Sequence, residues 1–203
     1  MKITTIIFDL GGVLVDWNPE YVFLKEFKGD RKKMKWFLEN ICTMDWNEQM
    51  DAGKLIKDAT NEKIKEFPQY EHLIRMYYDK WENMLKGEIS DTVNILKALH
   101  STAYKLFALT NWSAETFPVA IKRFDFLKLF DGIVVSGQIK MLKPEKEIYE
   151  YILNKYKLKS SECIFIDDRL SNVKGAELVG MHGIKFDTSQ QLRYELKKYN
   201  IEV

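Results

Sequence analysis

The sequence predicts an α/β protein: a doubly wound, Rossmann-like parallel sheet into which an α-helical cap domain is inserted. Two patterns predict it. Short, apolar, β-rich runs alternate with amphipathic helical stretches, as in a parallel sheet covered by helices on both faces. One long stretch, 17–87, breaks that alternation: it holds helical pieces and no convincing strand, which reads as a bundle inserted after the first strand. The α/β core is expected over 1–16 and 88–203, and the helical cap over 17–87.

The elements follow in order. Residues 3–8 (ITTIIF) are β-rich and almost wholly apolar at their end, then stop at Gly11-Gly12, as a strand buried on both faces does. Inside 17–87 the clearest helix is 70–85, where Leu73, Met76, Tyr77, Trp81 and Met84 recur at i, i+3, i+4 spacing. Breaks fall near Pro19, Gly29-Asp30, Asp51-Ala52-Gly53 and Pro68. The strand pattern returns at 106–109, 133–135 and 163–166. Between these runs, 113–124 aligns Phe117, Ala120, Ile121 and Phe124, and 145–156 aligns Ile148, Tyr149, Ile152 and Tyr156. Pro144 fits the first turn of the latter helix. A short helix over 172–179 ends at Gly180, a C-cap residue. A weak strand, 183–186, precedes a helix whose Thr188 and Gln191 have capping-box spacing. An insertion at the carboxyl end of the first strand sits over the crevice where open α/β sheets bind ligands.

The composition, 46% hydrophobic and 30% charged over 203 residues, fits a folded domain with ample core material. Lys+Arg (31) and Asp+Glu (30) nearly cancel, which removes any global electrostatic case for nucleic acid or membrane. The local Arg31-Lys32-Lys33 cluster reads as a solvated helix face. Cys42 and Cys163 lie far apart without a metal-binding pattern, so reduced thiols are expected. No apolar run approaches the roughly 18–20 residues that span a bilayer, and the chain opens on a strand rather than a leader; a cytoplasmic protein is the expectation. His72, His100 and His182 cluster with no motif, and nothing in the sequence speaks to oligomeric state.

Four strand ends carry chemistry. Asp9 is compatible with a turn or N-cap residue and, equally, with a nucleophile that attacks phosphorus to give an aspartyl-phosphate. The glycines after it, Gly11 and Gly12, let backbone N–H groups approach anionic oxygens. Thr110-Asn111 offers a hydroxyl and an amide for phosphoryl oxygens, or else a turn that opens the next helix. Lys143 is either an exposed lysine or a cation that neutralises Asp9 and the phosphoryl group. Asp167-Asp168 is the strongest single feature, because adjacent carboxylates repel unless a cation such as Mg2+ lies beside them. Asn172 suits a residue that orients Lys143 or an acid, or a first-turn polar residue. Trp17, Asn18, Trp46, Asn47, Glu48 and Gly53 flank the expected crevice, and Trp112 is placed to wall it; each aromatic is also a core candidate.

In this order, Phe8-Asp9-Leu10-Gly11-Gly12-Val13-Leu14, Leu109-Thr110-Asn111, Lys143-Pro144 and Ile166-Asp167-Asp168 with Asn172 resemble the four motifs of the haloacid dehalogenase (HAD) superfamily. The 17–87 stretch resembles that superfamily's helical cap, and the Phe130–Gly137 run (FDGIVVSG) resembles the segment before its catalytic lysine. The Asp-Leu-Gly first motif is similar to that of sugar-phosphate phosphatases and of the N-terminal phosphatase-like domain of epoxide hydrolases. The resemblance implies Mg2+-dependent hydrolysis of a small phosphorylated metabolite, a sugar phosphate among the candidates. Asp9 would be the nucleophile. Asp9, the Gly11 carbonyl and Asp168 would hold the metal, with Asp167 acting through water. Thr110 and Asn111 would bind phosphoryl oxygens and Lys143 would screen charge.

Gly11 departs from the common pattern, in which that position carries the acid that protonates the leaving oxygen. Three readings follow: a substrate with a good leaving group, such as an anomeric sugar phosphate or an acyl phosphate; a proton supplied by a cap residue or water; or a protein that only binds a phosphorylated ligand. A metal-free 2-haloacid dehalogenase is the nearest rival enzyme, but it has no need of the Asp167-Asp168 pair. A β-phosphoglucomutase-like reaction depends more heavily on the missing acid.

Overall fold

The computed structural model describes residues 2–203. Five parallel strands form the central sheet: β1 (Thr5–Phe8), β4 (Lys105–Thr110), β5 (Gly132–Val135), β6 (Cys163–Asp167) and β7 (His182–Lys185), in the order β5-β4-β1-β6-β7. The order reverses beside β1, whose neighbours on either side are β4 and β6. That is the switch point where such sheets open a crevice at their carboxyl ends. Register aligns the chemistry there. Phe8 pairs with Ala108 on one side and Ile166 on the other, so Asp9 and Asp167, each one residue further on, emerge level with one another. The Asp9 N–H donates to the Ile166 carbonyl at 2.8 Å.

Alternation along the strands fills both faces. Ile7, Phe107, Leu109 and Phe165 face Ile148, Tyr149 and Ile152 of α9 (Lys146–Tyr156) and Ala176 of α10 (Leu170–Leu178). Ile6, Phe8, Leu106, Ala108, Ile164 and Ile166 face the other way, beside α6 (Ser90–His100) and α11 (Ser189–Lys197). The chain between also forms α7 (Phe117–Arg123) and the short α8 (Ser136–Ile139). Gly180, at φ +87°, closes α10, as its position after the apolar stripe predicts.

The insertion holds α1 (Glu20–Glu26), α2 (Arg31–Asn40), α3 (Met44–Asp51), α4 (Ile56–Glu66) and α5 (Glu71–Asp79). Its interior is a run of rings: Phe23 against Phe37 and Tyr77, and Trp46 against Tyr77 and Tyr78.

Several sequence expectations are corrected. The insertion is framed by an antiparallel ribbon, β2 (Val15–Trp17) with β3 (Leu85–Glu88), although no strand was expected in 17–87. Only Leu85 of β3 is buried, so the run carries almost no apolar signal. The helix expected over 70–85 stops at Asp79, and Trp81–Met84 continue as a 3-10 turn that still buries Trp81 and Met84. The helix expected over 113–124 begins at Phe117, because Ser113 and Thr116 form turns before it. Pro144 lies outside α9: Glu145 is extended and serves as the cap, and the Lys143–Pro144 peptide is cis.

Candidate active site

Lys143 is the centre of the site. Its side chain is wholly buried, with Nζ 2.9 Å from Asp9 Oδ1 and 2.6 Å from Asp167 Oδ2. An ammonium group so buried is tolerated only because paired carboxylates meet it. Burial pulls the Lys143 amine down, but the charges of Asp167 and Asp9 more than offset that and hold it above its ordinary value. Its backbone is pinned by Asn111: the Lys143 N–H donates to Asn111 Oδ1 at 2.9 Å, and Asn111 Nδ2 donates to the Lys143 carbonyl at 3.0 Å. Asn111, expected on phosphoryl oxygens, therefore spends most of its amide positioning Lys143 and keeps one N–H for a ligand.

Asp167 is fully enclosed. Besides Lys143 it accepts from Asn172 Nδ2 at 3.0 and 3.1 Å and from the Arg169 N–H at 2.8 Å. Asn172 thus orients an acid, and through it the lysine. Asp168 is exposed, and one oxygen from each of Asp9, Asp167 and Asp168 lies within 4.8 Å of the others. Asp9 is pushed up to about 7, chiefly by burial, against the pull of Lys143 and with Asp167 adding repulsion. The Asp168 carboxyl, partly shielded at the crevice although the residue is exposed, is raised by that desolvation and by the charge of Asp167. Gly12 brings the first loop close: at φ +73° it adopts a backbone most residues avoid, and a Cβ there would meet Asp168 Oδ2 at 2.7 Å. Gly11 differs. A Cβ added there meets no heavy atom within 4 Å, so the missing acid is not excluded by lack of room.

These groups floor a crevice of about 260 Å³ that also reaches Thr110 at the end of β4. The insertion closes it from above with Met44, Asn47, Glu48, Asp51 and Trp81, while Trp17 and Trp112 form apolar walls. Trp112 packs against Trp81 with the rings tilted and their centroids 5.4 Å apart, one ring from the core and one from the insertion. Arg169 Nη1 binds Glu48 Oε1 at 2.8 Å across the same junction.

Of the residues expected to flank the crevice, Trp17, Asn47, Glu48 and Trp112 line it. Trp46 is instead packed in the bundle, its indole N–H donating to the Ala59 carbonyl. Asn18 accepts from the Glu20 N–H at the start of α1, and Gly53 lies against Lys140 and the Gly137 carbonyl. Asp51, in sequence only part of a helix break, also lines the crevice. Its spacing from Asn47, four residues along one helix, was the available signal: Asn47 Nδ2 donates to Asp51 Oδ2 at 3.0 Å.

Residues 6–186 match the haloacid dehalogenase-like hydrolase family. The chain belongs to that family and is a hydrolase by descent. Among its relatives, the sesquiterpene phosphatase astK of Aspergillus oryzae is 30% identical, over 95% of this chain and 94% of its own length. The pyrophosphatase PpaX of Halalkalibacterium halodurans is 26% identical over 89% and 82%. A HAD-like family hydrolase from Porphyromonas gingivalis shares the fold over both whole chains, with TM-score 0.75 and 22% identity. A HAD family enzyme from Bacteroides thetaiotaomicron, solved with magnesium and inorganic phosphate, has TM-score 0.72 and 21% identity, over 94% of this chain and 100% of its own.

Proposed function

We propose that this protein is a Mg2+-dependent phosphatase that hydrolyses a small phosphorylated metabolite through an aspartyl-phosphate on Asp9. The observation that carries the reading is the charge arrangement around Lys143: three carboxylates converge and, among the described residues, Lys143 is the one cation buried among them. The nearby Arg169 is already paired with Glu48. Two negative charges are left over, which suits a divalent, oxygen-seeking ion. Asp9, Asp168 and the Gly11 carbonyl would hold it, with Asp167 reaching it through water, and it would neutralise phosphoryl oxygens beside the nucleophile.

The chain's own residues divide the remaining work. Asp9, oriented by Lys143 and by accepting from the Leu10 N–H at 2.7 Å, attacks phosphorus. Thr110, the free N–H of Asn111 and the Gly12 backbone bind the phosphoryl oxygens, and Lys143 screens the charge that accumulates there. Residues 17–87 act as a cap over the core of 1–16 and 88–203, and exclude water. Relatives named as a sesquiterpene phosphatase and a pyrophosphatase support a phosphorylated substrate, and the related fold solved with magnesium and phosphate supports the ion.

The non-phosphate part of the substrate lies against Trp17, Trp81 and Trp112. Indole faces suit both a sugar ring and an isoprenoid chain, so sugar phosphates and prenyl phosphates head the substrate panel. The test is phosphate release from such a panel with Mg2+ and with EDTA, using Asp9→Asn as control. Turnover dependent on Mg2+ and abolished in Asp9→Asn is expected. Turnover that persists in EDTA, or release of chloride from a 2-haloacid in place of phosphate, would overturn the proposal.

A further inference from the structure

We propose that Asp51, carried on the inserted bundle, donates to the leaving oxygen the proton that Gly11 cannot supply. The inference rests on the phosphatase reading above and adds a catalytic residue to it. Four carboxyl groups line the crevice: Asp9, Glu48, Asp51 and Asp168. Three are committed. Asp9 is held by Lys143 as the nucleophile, Asp168 belongs to the three-carboxylate group beside Gly12, and Glu48 is ion-paired with Arg169. Asp51 has no salt-bridge partner among the described residues.

What surrounds Asp51 suits a proton donor. The Asn47 amide that contacts it is itself held by the Tyr78 hydroxyl, which lies 3.1 Å from Asn47 Oδ1, and the Ser113 N–H lies beside the carboxyl. These groups fix the side chain without supplying a positive charge that would strip its proton. Burial, reinforced by the negative charge of Glu48, pushes Asp51 up to about 7; the Ser113 N–H and the Arg169 charge oppose this without cancelling it, and Asp9 adds to it. The facing hydroxyls of Tyr77 and Tyr78 are driven upward by burial and stay neutral. The carboxyl therefore keeps a large protonated fraction near neutral pH.

Asp51 is also fixed relative to the nucleophile's side of the crevice. Ser136 Oγ donates to the Asp51 carbonyl at 2.6 Å and accepts from the Trp112 N–H at 2.9 Å, which ties the end of α3 to the loop after Thr110. The step balances. The Asp9 carboxylate forms a bond to phosphorus as the bond from phosphorus to the leaving oxygen breaks, and the Asp51 proton passes to that oxygen. The Asp51 carboxylate then takes a proton from water; that water attacks phosphorus, the Asp9–phosphorus bond breaks and inorganic phosphate leaves.

The test compares an alkyl phosphate, whose leaving oxygen needs a proton, with p-nitrophenyl phosphate, whose leaving group does not. Asp51→Asn should lower kcat/KM for the alkyl phosphate by about 10²–10⁴-fold and for the nitrophenyl ester far less. It should also remove the decline in alkyl-phosphate turnover above neutral pH. Adding Gly11→Asp to Asp51→Asn should restore alkyl-phosphate turnover, since position 11 has room for a side chain. Equal losses on both substrates, or no loss on the alkyl phosphate, would overturn the role of Asp51 alone. Absence of phosphate release from either substrate by the unaltered protein would overturn the phosphatase reading, and this proposal with it.

Discussion

Asp51 is held in a place that disfavours its charge, and that has a consequence for stability. Its carboxyl rises from 3.8 to about 7 on folding, mainly through burial. Between those values the folded chain binds more protons than the unfolded one, so this group makes stability fall as pH rises from about 4 to 7. Asn carries no such penalty. Asp51→Asn should therefore be more stable than the parent by a margin that is small near pH 4, grows through pH 7 and levels off, at most on the order of 4 kcal/mol. Urea unfolding across that range would check it; a margin independent of pH would contradict it. A stabilising change that lowers turnover of substrates with poor leaving groups is what a group retained for chemistry predicts. Asp9 and Asp167-Asp168 were legible in the sequence because they stand at strand ends, and Lys143, in the loop between α8 and α9, because it precedes Pro144. Asp51 was not, because its environment depends on contacts such as that with Ser136, 85 residues along the chain. Nor was the split role of Asn111, which needs the Lys143 backbone beside it.

The α10 helix must approach the Lys143 loop closely, and Gly175 permits it. A Cβ at that position would lie 2.6 Å from the Pro144 carbonyl oxygen and 2.8 Å from the Tyr149 ring. The backbone contact has little freedom to yield. Asn172 is on the same helix, and its carbonyl accepts from the Tyr149 hydroxyl at 2.7 Å. Gly175→Ala should thus push α10 away from α9, cost about 1–3 kcal/mol and lower activity by disturbing Asn172, Asp167 and Lys143 together. Thermal unfolding alongside a phosphate-release assay would register both effects; an unchanged melting temperature would show that the helix can slide without consequence. The strands of the sheet were read nearly to the residue, since runs buried on both faces are apolar throughout. The β2–β3 ribbon carries no strand signal in the sequence because it is short and half exposed. The 3-10 turn at Trp81–Met84 is indistinguishable from helix in the sequence because it continues the same apolar spacing.

The whole molecule brings one crevice together from segments that are remote in sequence. The sheet and the loops at its strand ends supply Asp9, Thr110 and Asp168, and the insertion supplies Asn47, Glu48, Asp51 and Trp81 from above. The two parts are joined by Arg169 to Glu48, by Ser136 to the Asp51 carbonyl, and by the Ile56 N–H donating to Glu115 at 2.7 Å. In the proposed mechanism that docking would hold the proton donor Asp51 over the crevice that contains the nucleophile Asp9. The division into sheet and insertion was visible in the change of period along the chain, whereas which face of the bundle meets the sheet was not, because helices of this length carry apolar residues toward both their own interior and the junction. The central claim is that Asp9 carries the phosphoryl group. Rapid acid quench of the Mg2+-loaded protein during turnover, followed by mass analysis of its peptides, tests this directly. A phosphoryl group on the peptide containing Asp9, absent in EDTA and in Asp9→Asn, is the predicted result; phosphate release by Asp9→Asn at the parent rate would contradict it.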